Sequence, residues 1–123
     1  MRPTRVLIVD DHRESADMMA AVLSIEGHQA EAAYDGGQAL LADARFRPDV
    51  VLIDLSLPDM DGCQLAARLG GETPPPVLIA ISGHDALEVG ARVRAAGCSR
   101  LLVKPVTVED LLSLVADAPS RGA

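Results

Sequence analysis

Tryptophan is absent from the chain, and Tyr34 and Phe46 are its only aromatic residues. A surface that binds nucleic acid by stacking bases would have almost nothing to work with. Basic residues are scarce as well, 11 against 18 acids, and the formal charge of -7 repels a polyphosphate backbone. Direct nucleic-acid binding is therefore not expected. No apolar run approaches the length of a membrane span. Met1 to Arg5 lead into only four apolar residues, too few for a secretory leader. The expectation is a cytoplasmic protein without a membrane partner. Cys63 and Cys98 lack metal-ligand spacing and read as free thiols that fill small packing spaces. His12, His28 and His84 share no ligand spacing and read as solvated. No glycine-rich loop follows the first apolar run, where Asp10-Asp11-His12-Arg13-Glu14 would repel phosphates, so nucleotide binding is disfavoured.

At 123 residues, with 49% hydrophobic and 24% charged residues, the chain has the composition of one ordinary globular domain. It contains no internal repeat and no linker. We read a single domain over 1–123, with an unstructured tail over about 118–123. Val6 to Val9, Val50 to Ile53, Val77 to Ile81 and Leu101 to Val103 are continuous apolar runs without polar alternation, the pattern of strands covered on both faces. Gln29 to Tyr34 is a weaker, half-polar strand suited to a sheet edge. Helical spacing falls between them: Ser15 to Glu26 with Met18, Met19, Val22 and Leu23 as core positions, Gln38 to Phe46, a third helix from Asp61, a fourth to Ala96, and a fifth through Val115. Gly27, Gly70-Gly71 and Gly97 mark helix ends. Asp85-x-x-Glu88 and Thr107-x-x-Asp110 have the spacing of capping boxes. Five strands alternating with five helices make an α/β domain with a parallel sheet.

Polar residues stand directly after four of the strands: Asp10 and Asp11, Asp54, Ser82, and Lys104. In an open parallel sheet these positions share the carboxyl edge, where ligands of such folds bind. Three carboxylates against one ammonium leave a charge of -2, costly in a partly desolvated pocket. A divalent cation cancels it. Oxygen-only ligands suit a hard ion, Mg2+ first and Mn2+ second. A phosphoryl group on Asp54 would lie between the ion and Lys104, with Ser82 donating to one of its oxygens.

Asp10-Asp11, Asp54 in Asp-Leu-Ser-Leu-Pro-Asp-Met-Asp-Gly, Ser82-Gly83 and Lys104-Pro105 together resemble the receiver domain of two-component response regulators, as in the chemotaxis response regulator. The resemblance covers nearly the whole chain and implies a flavodoxin-like, doubly wound sheet with strand order 2-1-3-4-5. It implies that Asp54 is the phospho-acceptor, and that Asp11 and Asp54 ligate Mg2+ through side chains, with Asp10 acting through an ordered water. The backbone carbonyl of Ser56 would complete the metal site. Ser82 is then the switch hydroxyl, Lys104 the cation paired with the phosphoryl group, and Pro105 the position of a cis peptide bond. Ser56 and His84 would tune the lifetime of the phosphoryl group. The implied partners are a histidine kinase or phosphotransfer protein upstream and an unidentified protein downstream. Such a domain promotes its own phosphorylation and dephosphorylation and is not a turnover enzyme on small substrates. One position departs from the family: Leu101 stands where a tyrosine or phenylalanine usually turns inward when the hydroxyl moves.

Other readings compete residue by residue. Asp10 or Asp11 could simply cap the first helix, Asp54 alone could be a turn aspartate, and Asp59 and Asp61 read as caps or solvated charges. A phosphorylation-independent interaction module would keep the fold and lose the switch, with Leu101 as its support. A phosphoester hydrolase using an aspartyl-phosphate is a third class.

Overall fold

The computed structural model describes residues 3–83, 86–116 and 118–119, with the backbone alone at 86–88. His84, Asp85 and the end of the expected tail lie outside the described residues. Ten elements alternate: β1 (Arg5–Val9), α1 (Arg13–Ile25), β2 (Gln29–Ala33), α2 (Gly36–Phe46), β3 (Val50–Asp54), α3 (Gly62–Gly70), β4 (Val77–Ser82), α4 (Ala86–Ala95), β5 (Arg100–Val103) and α5 (Val108–Ala116). All strand pairs are parallel and the order is β2-β1-β3-β4-β5. The half-polar strand β2 lies at an edge, and β3, whose five residues are all buried, lies at the centre.

Side chains alternate across the sheet, which splits the core into two layers. Leu7, Val9, Val51, Ile53, Leu78 and Ala80 face α2, α3 and α4, which contribute Ala39, Ala42, Leu65, Leu69 and Val93. Val6, Ile8, Val50, Leu52, Ile79 and Ile81 face α1 and α5, which contribute Ala16, Leu23, Leu111 and Leu114. The continuous apolar runs follow from this double coverage.

Local chemistry sets the element ends. Gly27 and Gly97 take φ of +94° and +100° after α1 and α4, the left-handed turn that glycine accepts without strain. The Thr107 box forms as its spacing predicts: the Asp110 amide donates to Thr107 Oγ1 at 3.0 Å, and the Thr107 amide to Asp110 Oδ2 at 3.1 Å. Asp61 caps α3 through the Cys63 amide at 2.8 Å. One competing reading falls away and one expectation needs correction. The N-cap of α1 is His12, whose Nδ1 accepts from the Ser15 amide, and neither Asp10 nor Asp11 holds that position. Met18 is 64% exposed and only Met19 faces the core, because neighbouring helical residues point about 100° apart.

The turn from β3 into α3 is tightly built. A Cβ on Gly62 would lie 2.7 Å from Leu55 Cα and 2.9 Å from the Asp54 carbonyl oxygen, both backbone atoms that cannot step aside. Gly83, by contrast, has open space around it and no left-handed φ. Gly62→Ala should therefore cost about 1–3 kcal/mol through overpacking and lower the thermal midpoint by at least about 3 °C. Gly83→Ala should leave it unchanged. A melting curve of Gly62→Ala that overlays wild type would contradict this packing.

Candidate functional site

The carboxyl ends of β1, β3, β4 and β5 meet along one edge of the sheet, and backbone bonds carry the ladder one residue past the strands. The Asp10 amide donates to the Ala33 carbonyl at 3.0 Å, Leu55 to Ile81 at 3.0 Å, and Lys104 to Ser82 at 2.9 Å. Since Val9 is in register with Ile53, Asp10 arrives level with Asp54. The acidic residues are thus set by the most rigid part of the molecule, and only the side-chain torsions remain to be fixed.

Those torsions are fixed by hydrogen bonds. Asp54 is buried, and both of its oxygens are engaged: Oδ1 accepts from the Ser56 amide at 2.8 Å, and Oδ2 lies 2.5 Å from Lys104 Nζ. Lys104 is the chain's single lysine, and 43% of its side chain is exposed. Asp10 is buried, and its Oδ1 accepts from the His12 amide at 3.0 Å. Asp11 is exposed. One carboxylate oxygen from each of Asp10, Asp11 and Asp54 can be chosen so that all lie within 4.8 Å of one another.

Burial above all pushes the Asp10 carboxyl above the usual carboxylate range, and the neighbouring Asp54 charge adds to it. The His12 amide and the Lys104 ammonium pull the other way. The hydrogen bond to Asp54 raises Lys104 and keeps it charged. One lysine thus offsets part of a crowded negative charge. Three carboxylates, two of them buried, form an oxygen donor set suited to a hard divalent cation, and that fits Mg2+.

Of the remaining expected site residues, Ser82 is buried at the end of β4, next to the strand carrying Lys104. Ser56 is exposed beside Asp54, and the peptide before Pro105 is cis. Leu101 stands away from the edge: it pairs with Ala80 inside the sheet and packs half-buried on the core layer of α2, α3 and α4. His84 falls outside the described residues. A second cis peptide, Thr73-Pro74, carried no sequence signal beyond its proline-rich loop. A cleft of about 780 Å3 opens beside the carboxylates, lined among others by Asp11, His12, Met18, Lys104, Pro105 and Val106.

Known proteins are similar to this chain in sequence and fold. A family model of the response regulator receiver domain matches residues 6–116. The chain is 35% identical, over 90% of its length, to the Probable transcriptional regulatory protein TcrX of Mycobacterium tuberculosis, and spans 47% of that protein. It is 38% identical, over 89% of its length, to a protein-glutamate methylesterase/protein-glutamine glutaminase 2 of Anaeromyxobacter dehalogenans, and spans 33% of it. A CheY-like response regulator receiver domain protein from Methanospirillum hungatei JF-1 has the same fold, with a TM-score of 0.87 at 30% identity, covering 94% of this chain and 93% of that one. The chain thus matches half or less of these two curated relatives and nearly all of the solved receiver domain.

Crowding at the edge should register as a stability cost. In the folded chain Asp10 holds its proton to a higher pH than when unfolded, so keeping it ionised opposes folding. That cost is absent below the ordinary aspartate range, where both states are protonated, and complete above the raised value. With chelator present at neutral pH, Asp10→Asn should be more stable than wild type. The gap should close as the pH falls through the carboxylate range. Denaturant titrations at several pH values check this, and an asparagine variant less stable at neutral pH would contradict it.

Proposed function

The chain belongs to the receiver domains of response regulators, the phospho-acceptor modules of two-component signalling, and from that premise we propose that Asp54 is the residue that accepts the phosphoryl group. The observation that carries this reading is the Asp54 carboxylate itself: buried at the end of the central strand, 2.5 Å from the single lysine, and grouped with the carboxylates of Asp10 and Asp11. A buried carboxylate with no role would be a net cost to the fold.

In the proposed step an Asp54 oxygen attacks phosphorus. The bond from phosphorus to the donor breaks, and its electron pair stays with the donor, a phosphohistidine imidazole of a kinase or phosphotransfer protein. The product is an acyl phosphate, and water later returns it to carboxylate and inorganic phosphate. Negative charge that sat on Asp54 then lies on the phosphoryl oxygens, and Lys104 meets it there with little reorganisation. Ser82 donates its hydroxyl to the same group. Asp10, Asp11, Asp54 and the Ser56 carbonyl would hold Mg2+, or Mn2+ in its place, which supplies positive charge to the transferring group when bound. Ser56 and His84 would set how readily water reaches the phosphoryl group.

The cleft over Met18 and Val106 gives the donor access to the acidic edge. In this reading the domain acts in the cytoplasm on a protein partner; among the described residues no helix is long and apolar enough to cross a membrane. The output belongs to a downstream protein or to a further part of a longer chain. The named activity of the Anaeromyxobacter relative belongs to that protein, of which this chain resembles one third.

With Mg2+ and beryllofluoride, an unreactive phosphoryl mimic, the amide signals of Asp54, Ser82 and Lys104 should shift in wild type and stay still in Asp54→Asn. A small-molecule phosphodonor should label wild type and leave Asp54→Asn unlabelled. Lys104→Met should slow labelling roughly a hundredfold, the usual scale for losing one preorganised charge partner. Normal labelling of Asp54→Asn would refute the assignment.

A further inference from the structure

The loop that follows Asp54 is anchored at its far end by a helix that precedes it in the chain. Asp59 Oδ1 accepts from the Gly36 amide at 2.8 Å, and Oδ2 from the Gly37 amide at 3.0 Å. One carboxylate thus grips the first turn of α2, where amides have no partner within the helix. These two bonds pull the Asp59 carboxyl below the usual range. Beside it, Met60 lies over Gly36 so closely that a Cβ there would come within 2.5 Å of Met60 Sδ. The helix does not depend on Asp59 for its start, because Asp35 caps it locally by accepting from the Gln38 amide at 2.7 Å.

The near end of the same loop is tied to the acceptor. The Ser56 amide donates to Asp54 Oδ1, and Gly62 seats against the backbone of Leu55. The segment from Leu55 to Met60 is therefore held at both ends, with the exposed Ser56 itself forming the near anchor through its amide.

We propose that Asp59 is a positioning residue of the acceptor site: by clamping the β3–α3 loop onto the first turn of α2, it fixes the backbone of Ser56 and with it the cation site. This rests on the reading of Asp10, Asp11, Asp54 and the Ser56 carbonyl as that site. The clamp acts at a distance from the ion, as partners behind a ligand do, and such partners commonly change metal affinity 10- to 100-fold.

A Mg2+ titration of the full chain, followed by amide chemical shifts, tests this with Asp59→Ala and Asp35→Ala compared. Both substitutions remove one negative charge at the same helix end and one hydrogen-bonding group from α2, so loss of charge and fraying of the helix are common to the two. Asp59→Ala should need about tenfold more Mg2+ for half saturation. Asp35→Ala should keep the wild-type midpoint despite a lower melting temperature. Asp59→Asn, which keeps one accepting oxygen, should fall between wild type and alanine, and it serves as the test if the alanine variant does not fold. An unchanged midpoint in the Asp59 variants, or an equal rise in Asp35→Ala, would overturn the clamp while leaving the cation site intact. A wild-type chain with no response to Mg2+ would overturn the cation site itself, and the clamp with it.

Discussion

The structure depends on holding like charges together. Three carboxylates are brought within 4.8 Å by backbone that cannot relax, since Asp10 and Asp54 continue neighbouring strands in fixed register. Coulomb repulsion at such distances, partly out of water, amounts to kilocalories rather than tenths. The fold withstands it because β1 and β3 are buried on both faces, and their apolar side chains contribute far more than the edge removes. Lys104 removes one unit of the excess, and a divalent cation would remove the rest. The excess of negative charge at this edge opposes folding, and Asp10 bears part of it.

That strain explains why the surrounding loops are so thoroughly tied. The β1–α1 and β3–α3 loops would move apart if left to the carboxylates they carry. Instead the Asp10 and Asp54 side chains turn back onto amides of their own loops, at His12 and Ser56. Lys104 is drawn in by its backbone bond to Ser82 as well as by its ammonium. Asp61, which caps α3, also pairs with Arg92 on α4, so the helix after the acceptor loop is held to its neighbour. Preorganisation here is a property of the amides around the carboxylates as much as of the carboxylates themselves.

Much of this could be read from the amino-acid order, for a physical reason. In a doubly covered parallel sheet each strand is an apolar run, and the first polar residue after it must stand at the carboxyl edge; Asp10, Asp54, Ser82 and Lys104 follow directly. The strand order did not follow from periodicity and came with the family resemblance. What stayed hidden was set by tertiary contact or by fine helix phase. Asp59 read as a cap or a solvated charge, but nothing in the order showed that the amides it binds, beside the cap Asp35, lie on a helix that begins 23 residues earlier. Met18 and Met19 looked like a pair of core residues, but the buried face of α1 runs through Ala16, Met19 and Leu23 and leaves Met18 beside it. His12 took the cap of α1 because the side chains of Asp10 and Asp11 face the acidic edge.

Leu101 bears on how a change at Asp54 could leave the site. Leu101 packs half-buried on the layer of α2, α3 and α4 and has no ring to turn between an outer and an inner position. The backbone offers another route. Ser82 ends β4, and its carbonyl accepts from the Lys104 amide at 2.9 Å. A displacement of Ser82 therefore pulls on the residue that begins the β5–α5 loop, and Lys104 itself is drawn from its other end by the charge it pairs with. Two forces converge on one residue through a hydrogen bond and an ion pair, and neither needs a ring. Lys104 thus joins the acidic edge to β4 and to the start of the β5–α5 loop, through its ion pair with Asp54 and its backbone hydrogen bond to Ser82.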